Sequence, residues 1–137
     1  MFERILLAAD GSASSRKAAD VAADIGKKYG AEVLVFHVLE QQITEFGAYD
    51  VEQPGEASDF VDEIVRALKD ADVNARGEVE TAPKGRVPRA IVEAAKEQGA
   101  GLLVMGSRGL SEWEELFLGS VTDRVLHLAE CSVLIVR

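Results

Sequence analysis

The chain has 137 residues, 47% of them hydrophobic, which suits one domain with one sizeable core and excludes a disordered tail-like protein. Its net charge of -9 at pH 7 repels phosphate backbones and anionic head groups, so nucleic-acid and membrane-surface binding are not expected. No apolar run approaches the ~20 residues needed to span a bilayer, the first residues lack a signal-peptide pattern, and Cys131 is the one cysteine, so no disulfide forms within the chain. These features give the expectation of a cytoplasmic protein with a single domain over residues 1–137.

Five apolar runs alternate with helical patterns. Ile5 to Ala9 is the first and Val33 to Val38 the second. Helix one lies between them, with Ala18, Val21, Ala22, Ile25 and Tyr29 on one face and Gly30 as its stop. No Lys or Arg occurs between Lys28 and Arg66, a stretch rich in acids that reads as a solvated face and a polar loop. Within it, Leu39 to Gly55 forms an unusually long connection, carrying Ile43, Phe46 and Tyr49. It reads as an excursion, with a lid or partner surface as the alternative.

Phe60, Ile64 and Leu68 mark helix two. Val73, Ala75, Gly77, Val79 and Thr81 alternate with polar residues, the pattern of a half-exposed strand at a sheet edge. Val87, Ile91 and Ala95 mark helix three, with Pro88 tolerated in its first turn. Leu102 to Met105 is the fourth run; Val121, Val125, Leu128 and Ala129 mark helix four; Val133 to Val136 is the fifth run. Continuous apolarity indicates strands covered on both faces. The order β-α-β-α-β-α-β-α-β with right-handed crossovers predicts an α/β fold, an open, doubly wound parallel five-stranded sheet with helices on both faces.

Ligands of such sheets sit beyond the carboxyl ends of the strands. Asp10-Gly11-Ser12 follows the first run; Asp10 can accept from a ribose, help hold a metal, or cap helix one together with Ser12 or Ser14. Gly106-Ser107-Arg108-Gly109 follows the fourth run, and Gly119-Ser120-Val121-Thr122 opens helix four. Glycine admits close approach of backbone N–H groups to a phosphate, a helix start adds donors, and Ser120 and Thr122 add hydroxyls. Neither a Walker A loop nor a Rossmann G-x-G-x-x-G is present. The end of the second run, at Val38, offers backbone groups. His37 and His127 belong to no metal-spaced cluster, and Cys131 reads as a small buried residue.

Met105-Gly106-Ser107-Arg108-Gly109, nine residues, Gly119-Ser120-Val121-Thr122 and then Cys131 to Val136 resemble the ATP-binding branch of the universal stress protein family, whose signature is G-x-x-G-x9-G-S. Ile5 to Ser12 and His37-Val38 fit as well, so the likeness covers the whole chain. The resemblance implies strand order 3-2-1-4-5 and a homodimer through the fifth strand. It also implies an adenine nucleotide, ATP, bound with Mg2+ or Mn2+. Asp10 would face the ribose and the metal, the Val38 backbone would meet the adenine, and Gly106, Gly109, Gly119, Ser120 and Val121 would cradle ribose and phosphates.

The chain departs from the family pattern in three places. Its nine-residue spacer carries Glu112, Glu114 and Glu115 around Trp113 and no base, whereas the family's is usually basic. Ser132 stands where proline is frequent and Gly101 where aspartate is frequent. If the acids line the site, a divalent ion must bridge them to the phosphates, with Arg108 and the start of helix four opposing the repulsion. The functional expectation is a nucleotide-dependent stress or signalling switch with an unidentified protein partner. The alternatives are a slow ATP hydrolase, a nucleotide-free interaction module and, on fold alone, a flavin-binding protein.

Overall fold

The computed structural model describes residues 1–50, 53–107 and 119–137. In chain order these form β1 (Arg4–Ala8), α1 (Ala13–Tyr29), β2 (Glu32–Thr44), β3 (Gly47–Asp50), α2 (Pro54–Asp70), β4 (Asn74–Pro83), α3 (Val87–Glu97), β5 (Leu102–Gly106), α4 (Ser120–Leu128) and β6 (Ser132–Val136). Arg108, Gly109 and the spacer with Glu112, Trp113, Glu114 and Glu115 lie outside the described residues.

β1 is central. It pairs in parallel with β2 on one side and β5 on the other, so that Leu6 faces Leu34 and Leu103 across the ladders. β5 continues in parallel to β6, and β2 in parallel to β4. Because successive side chains point to opposite faces, the apolar runs feed two cores. Ile5, Leu7, Val33, Val35 and Val104 pack with Ala18 and Ala22 of α1 and Val61 and Leu68 of α2. Leu6, Leu34, Phe36, Leu103 and Met105 pack with Ile91 and Ala95 of α3 and Val125 of α4. Each fully buried Leu, Ile, Val or Phe contributes ~1.5–3 kcal/mol. This is the doubly wound α/β architecture expected, with helices on both faces.

The strand count needs correction, while the five parallel strands run β4-β2-β1-β5-β6, which is the expected order 3-2-1-4-5. The sheet has six strands, its main path runs β3-β2-β1-β5-β6, and β4 pairs β2 off that path. The departure lies in the Leu39 to Gly55 connection. β2 runs on to Thr44, turns through Glu45 and Phe46, and pairs antiparallel with β3. The Thr44 hydroxyl closes the turn, accepting from Phe46 N–H and donating to Gly47 C=O, both at 3.2 Å. Polar residues such as Gln41, Gln42 and Thr44 and a turn without Asn-Gly or Asp-Gly hid this hairpin from sequence reading.

Register fixes where β3 lies. Gln41 is opposite Pro83 of β4 and also opposite Asp50 of β3. A strand residue has one neighbour on each edge, so β3 occupies the edge of β2 that faces β1. The last β1 residue on that edge is Ala8, opposite Phe36. Residues 37–40 of β2 therefore have no strand partner there among the described residues. Among the described residues this leaves a notch in the sheet between the end of β1 and Asp50, five steps of ~3.3 Å or roughly 16 Å along β2; residues 51 and 52, which follow Asp50, lie outside the described residues.

β4 is an edge strand, as its alternation predicts. Three other expectations change. Val133 to Val136 of β6 are half-buried rather than covered on both faces, because β6 is the last strand of the path. Cys131, just before β6, is half-buried, and burial pushes its thiol pKa up. Tyr29 ends α1 exposed, edge-on to Phe2.

Candidate functional site

The turn after β1 is built by its own side chains. Gly11 adopts φ +81°, a left-handed conformation that favours glycine. Asp10 Oδ1 accepts from the Ser12 N–H at 2.9 Å, and the Asp10 N–H donates to Ser15 Oγ at 3.1 Å. Ser12 is the N-cap of α1, its hydroxyl accepting from Ser15 N–H at 3.2 Å. Asp10 thus takes part in the turn while remaining partly exposed. Sequence reading named Ser12 and Ser14 as caps; the buried Ser15 beneath Asp10 escaped it. The signal was present in the serine run that follows Gly11.

Buried His37 supports the same turn from β2. Its Nδ1 meets Ala9 O at 2.6 Å, which places a proton on Nδ1 as the donor, and its ring stands edge-on to Phe60 at 5.1 Å. The histidine is structural, as expected: it fixes the carbonyl immediately before Asp10.

The second strand end joins β5 to α4. Ser107 N–H donates to Val136 O, and Gly119 N–H donates to Ser107 O, both at 2.8 Å. Ser107 and Gly119 therefore meet at the neck of segment 108–118. The buried Thr122 hydroxyl donates to Gly106 O at 2.9 Å, tying the first turn of α4 to the end of β5. Ser120 is exposed, Val121 half-buried, and no side chain caps the start of α4. Its first-turn N–H groups therefore remain without a side-chain cap, at the positive end of the helix dipole.

Gly106 serves packing. A Cβ there would stand 2.8 Å from the backbone of Ser14 and Ser15. The glycine lets β5 end directly against the start of α1. Gly119 has φ −58° and ψ 152°, a conformation open to any residue.

The third element is the notch. Phe36 O accepts from Ala9 N–H at 2.9 Å, so the Phe36 backbone faces the β1 edge. Backbone direction alternates along a strand, so Val38 and Glu40 face the same edge, beyond the end of β1. The Val38 side chain is buried, leaving its backbone as the group the notch can present.

The structure thus places Asp10 just after β1, Val38 in β2 beyond the end of β1, Gly106 at the end of β5, and Gly119, Ser120, Val121 and Thr122 at the start of α4; Arg108 and Gly109 lie outside the described residues. Among the described residues no group of three or more His, Cys, Asp or Glu could hold a metal ion. None of their helices is long and apolar enough to cross a membrane.

The universal stress protein family model matches residues 1–137. The chain belongs to this family. A universal stress protein of Thermus aquaticus is 39% identical over 137 residues, covering 100% of both chains. A universal stress protein of Archaeoglobus fulgidus, solved in complex with dAMP, superposes with TM-score 0.76 at 22% identity and covers 100% of both chains; at that identity the likeness shows the fold. A universal stress protein solved in complex with cAMP has TM-score 0.65 and 29% identity, over 99% of this chain and 97% of that one. Members of the family thus bind adenine nucleotides.

Proposed function

We propose that this universal stress protein holds an adenine nucleotide, ATP by preference, at the carboxyl ends of β1, β2 and β5, and acts as a homodimeric switch. The observation that carries the reading is the notch between β1 and β3, with the backbone of Val38 facing it. Adenine presents an amino donor beside a ring acceptor. A strand edge offers the complement, a C=O beside an N–H, whereas guanine reverses the pattern.

The remaining candidates fit the other parts of the ligand. Asp10, one of whose oxygens is held by Ser12, faces the ribose. The start of α4 at Ser120 and Val121 faces the phosphates. Gly106 and Gly119 set the approach of the two backbones, while Thr122 holds α4 in place through Gly106 O. Arg108 and Gly109 complete the set in the sequence motif.

Asp10 alone is no protein metal site. Mg2+ or Mn2+ would be held mainly by phosphate oxygens and water, with Asp10 supplying one carboxylate oxygen. The ion would offset phosphate charge in a chain of net charge -9.

The dimer reading rests on β6. It ends the sheet path and leaves Val133, Leu134, Ile135 and Val136 half-exposed, an edge without a strand partner among the described residues that a second copy would cover.

Native mass spectrometry of the purified chain tests the nucleotide reading. Co-purifying ATP or a related adenine nucleotide, at one per protomer, is the expected result. An empty chain across several preparations that also fails to take up added ATP would contradict it, and turnover of bound ATP would mark a slow hydrolase instead.

A further inference from the structure

The turn of the β2–β3 hairpin holds Phe46 out in solvent, 93% exposed, with Ile43 and Tyr49 exposed beside it. Among the described residues, three of the six exposed large hydrophobics thus fall within seven positions. The turn is not slack: the Thr44 hydroxyl ties Phe46 N–H to Gly47 O. An aromatic ring fixed away from any core forgoes its burial energy, and clustered exposed apolar groups mark a contact surface. The setting is acidic. Glu45 stands next to Phe46, and no Lys or Arg occurs between Lys28 and Arg66.

An apolar cavity of about 470 Å3 lies between α3 and the end of α4. Val92, Ala95, Ala100, Leu128 and Ala129 supply its apolar wall. The volume is within the ~300–1,000 Å3 range of pockets that enclose organic groups, ample for one phenyl ring. The wall's acids, Glu93 and Glu130, are matched by Arg89 and Lys96, with Lys96 paired to Glu130 at 3.8 Å. Arg89 also lines the adjoining cavity with Arg86 and Arg124, which leaves that flank positive.

A rigid phenyl ring beside an acid and an apolar cavity beside a basic flank are complementary. They cannot meet within one chain. Val33 is level with Leu102 across β1, and Gly99 and Ala100 of the cavity precede Leu102. Thr44 is eleven residues beyond Val33, roughly 36 Å at ~3.3 Å per residue. A surface and its complement at opposite ends of one molecule define a contact between unlike faces of two copies. Salt screens the repulsion between two chains of net charge -9 beyond ~8 Å, which leaves local complementarity to decide. We propose that Phe46 of one copy seats in the α3–α4 cavity of a second, with Glu45 against Arg89. An aromatic anchor in a desolvated pocket is the usual energetic centre of a protein interface. The contact uses neither the nucleotide site nor the β6 edge.

Photocrosslinking of the full chain tests this. Copies bearing Phe46→benzoylphenylalanine, half of them isotope-labelled, are irradiated at high concentration and the joined peptides identified by mass. Crosslinks from residue 46 of one copy to segment 89–100 or 128–131 of the other are expected. Val92→Glu in all copies puts a charge in the cavity and should reduce them about tenfold or more, the scale of losing one buried aromatic. Arg89→Glu, at an exposed position of the same wall, should also reduce them and stands in where Val92→Glu does not fold. Copies with Phe46→Ser keep an intact cavity. Mixed with probe-bearing copies of the cavity variant, they should restore the crosslinks. No crosslinks between copies, crosslinks to another hairpin or to the β6 edge, no loss in the folded cavity variant, or no restoration on mixing would overturn the proposal.

Discussion

Gly106 and Ser14 approach so closely that a Cβ on residue 106 would stand 2.8 Å from the Ser14 backbone carbon and collide with its hydroxyl. The first glycine of the family motif is thus a packing device that seats β5 against the start of α1. Since Asp10, Gly11 and Ser12 form the turn into that helix, this one contact positions both the β1–α1 turn and the end of β5, the two halves of the proposed site.

Gly106→Ala is expected to destabilise the fold by ~1–3 kcal/mol, the usual cost of overpacking. Urea denaturation followed by circular dichroism checks it. Wild-type stability would mean that α1 shifts freely, and that this contact does not position the turn.

Thr122→Val is expected to cost ~1–3 kcal/mol, because it leaves the buried Gly106 carbonyl without the Thr122 hydroxyl. Thr122→Ser keeps the donor and should lose less. A larger loss in Thr122→Ser than in Thr122→Val would point to packing of the methyl group rather than to the hydrogen bond.

How far the sequence reveals this architecture depends on the chemistry of each segment. Continuous runs such as Leu102 to Met105 declare strands between two helical layers, and the structure places them there. The Asp10 turn and the starts of α1 and α4 were legible because capping and turn chemistry is local. The β2–β3 hairpin was not, because pairing of Gln42 with Tyr49 is set by register and by a Thr44 hydroxyl, neither of which leaves an apolar period. The notch was illegible for the same reason: it exists only because β2 outruns β1. The packing role of Gly106 was hidden too, since a sequence does not show which helix lies over a glycine.

Dimerisation through β6 can be tested at one backbone group. Val136 O accepts from Ser107 N–H, so Val136 and Leu134 face β5, and the backbone of Ile135 faces outward. Ile135→Pro removes an outward donor and leaves the β5 ladder intact. Sedimentation should show a dimer for wild type and a folded monomer for the variant. A wild-type monomer, or a variant that remains dimeric, would place the interface elsewhere.

The acids of β4 and α3 give a pH dependence. Burial raises the Glu80 pKa, and Glu78, Glu97 and Glu93 raise it further, although Glu78 also pairs with Arg76 at 3.6 Å. The native state therefore holds this proton more readily than the unfolded chain. The favourable contribution is full below the usual glutamate pKa of ~4.3 and is lost as pH rises through the raised native value. Glu80→Gln should match wild type near pH 4 and exceed it at pH 7, as read from urea midpoints. A difference independent of pH would remove Glu80 as its source.

The most direct measurement follows the backbone amide signals of the chain by NMR during titration with ATP and, separately, GTP, each with and without Mg2+. Saturable shifts at Gly11, Ser12, Val38, Ser120 and Val121 with ATP, stronger with Mg2+ and weak or absent with GTP, are expected if the notch reads adenine and the start of α4 holds phosphate. Shifts confined to other surfaces, or an unperturbed Val38 amide at saturating ATP, would contradict nucleotide binding at this site.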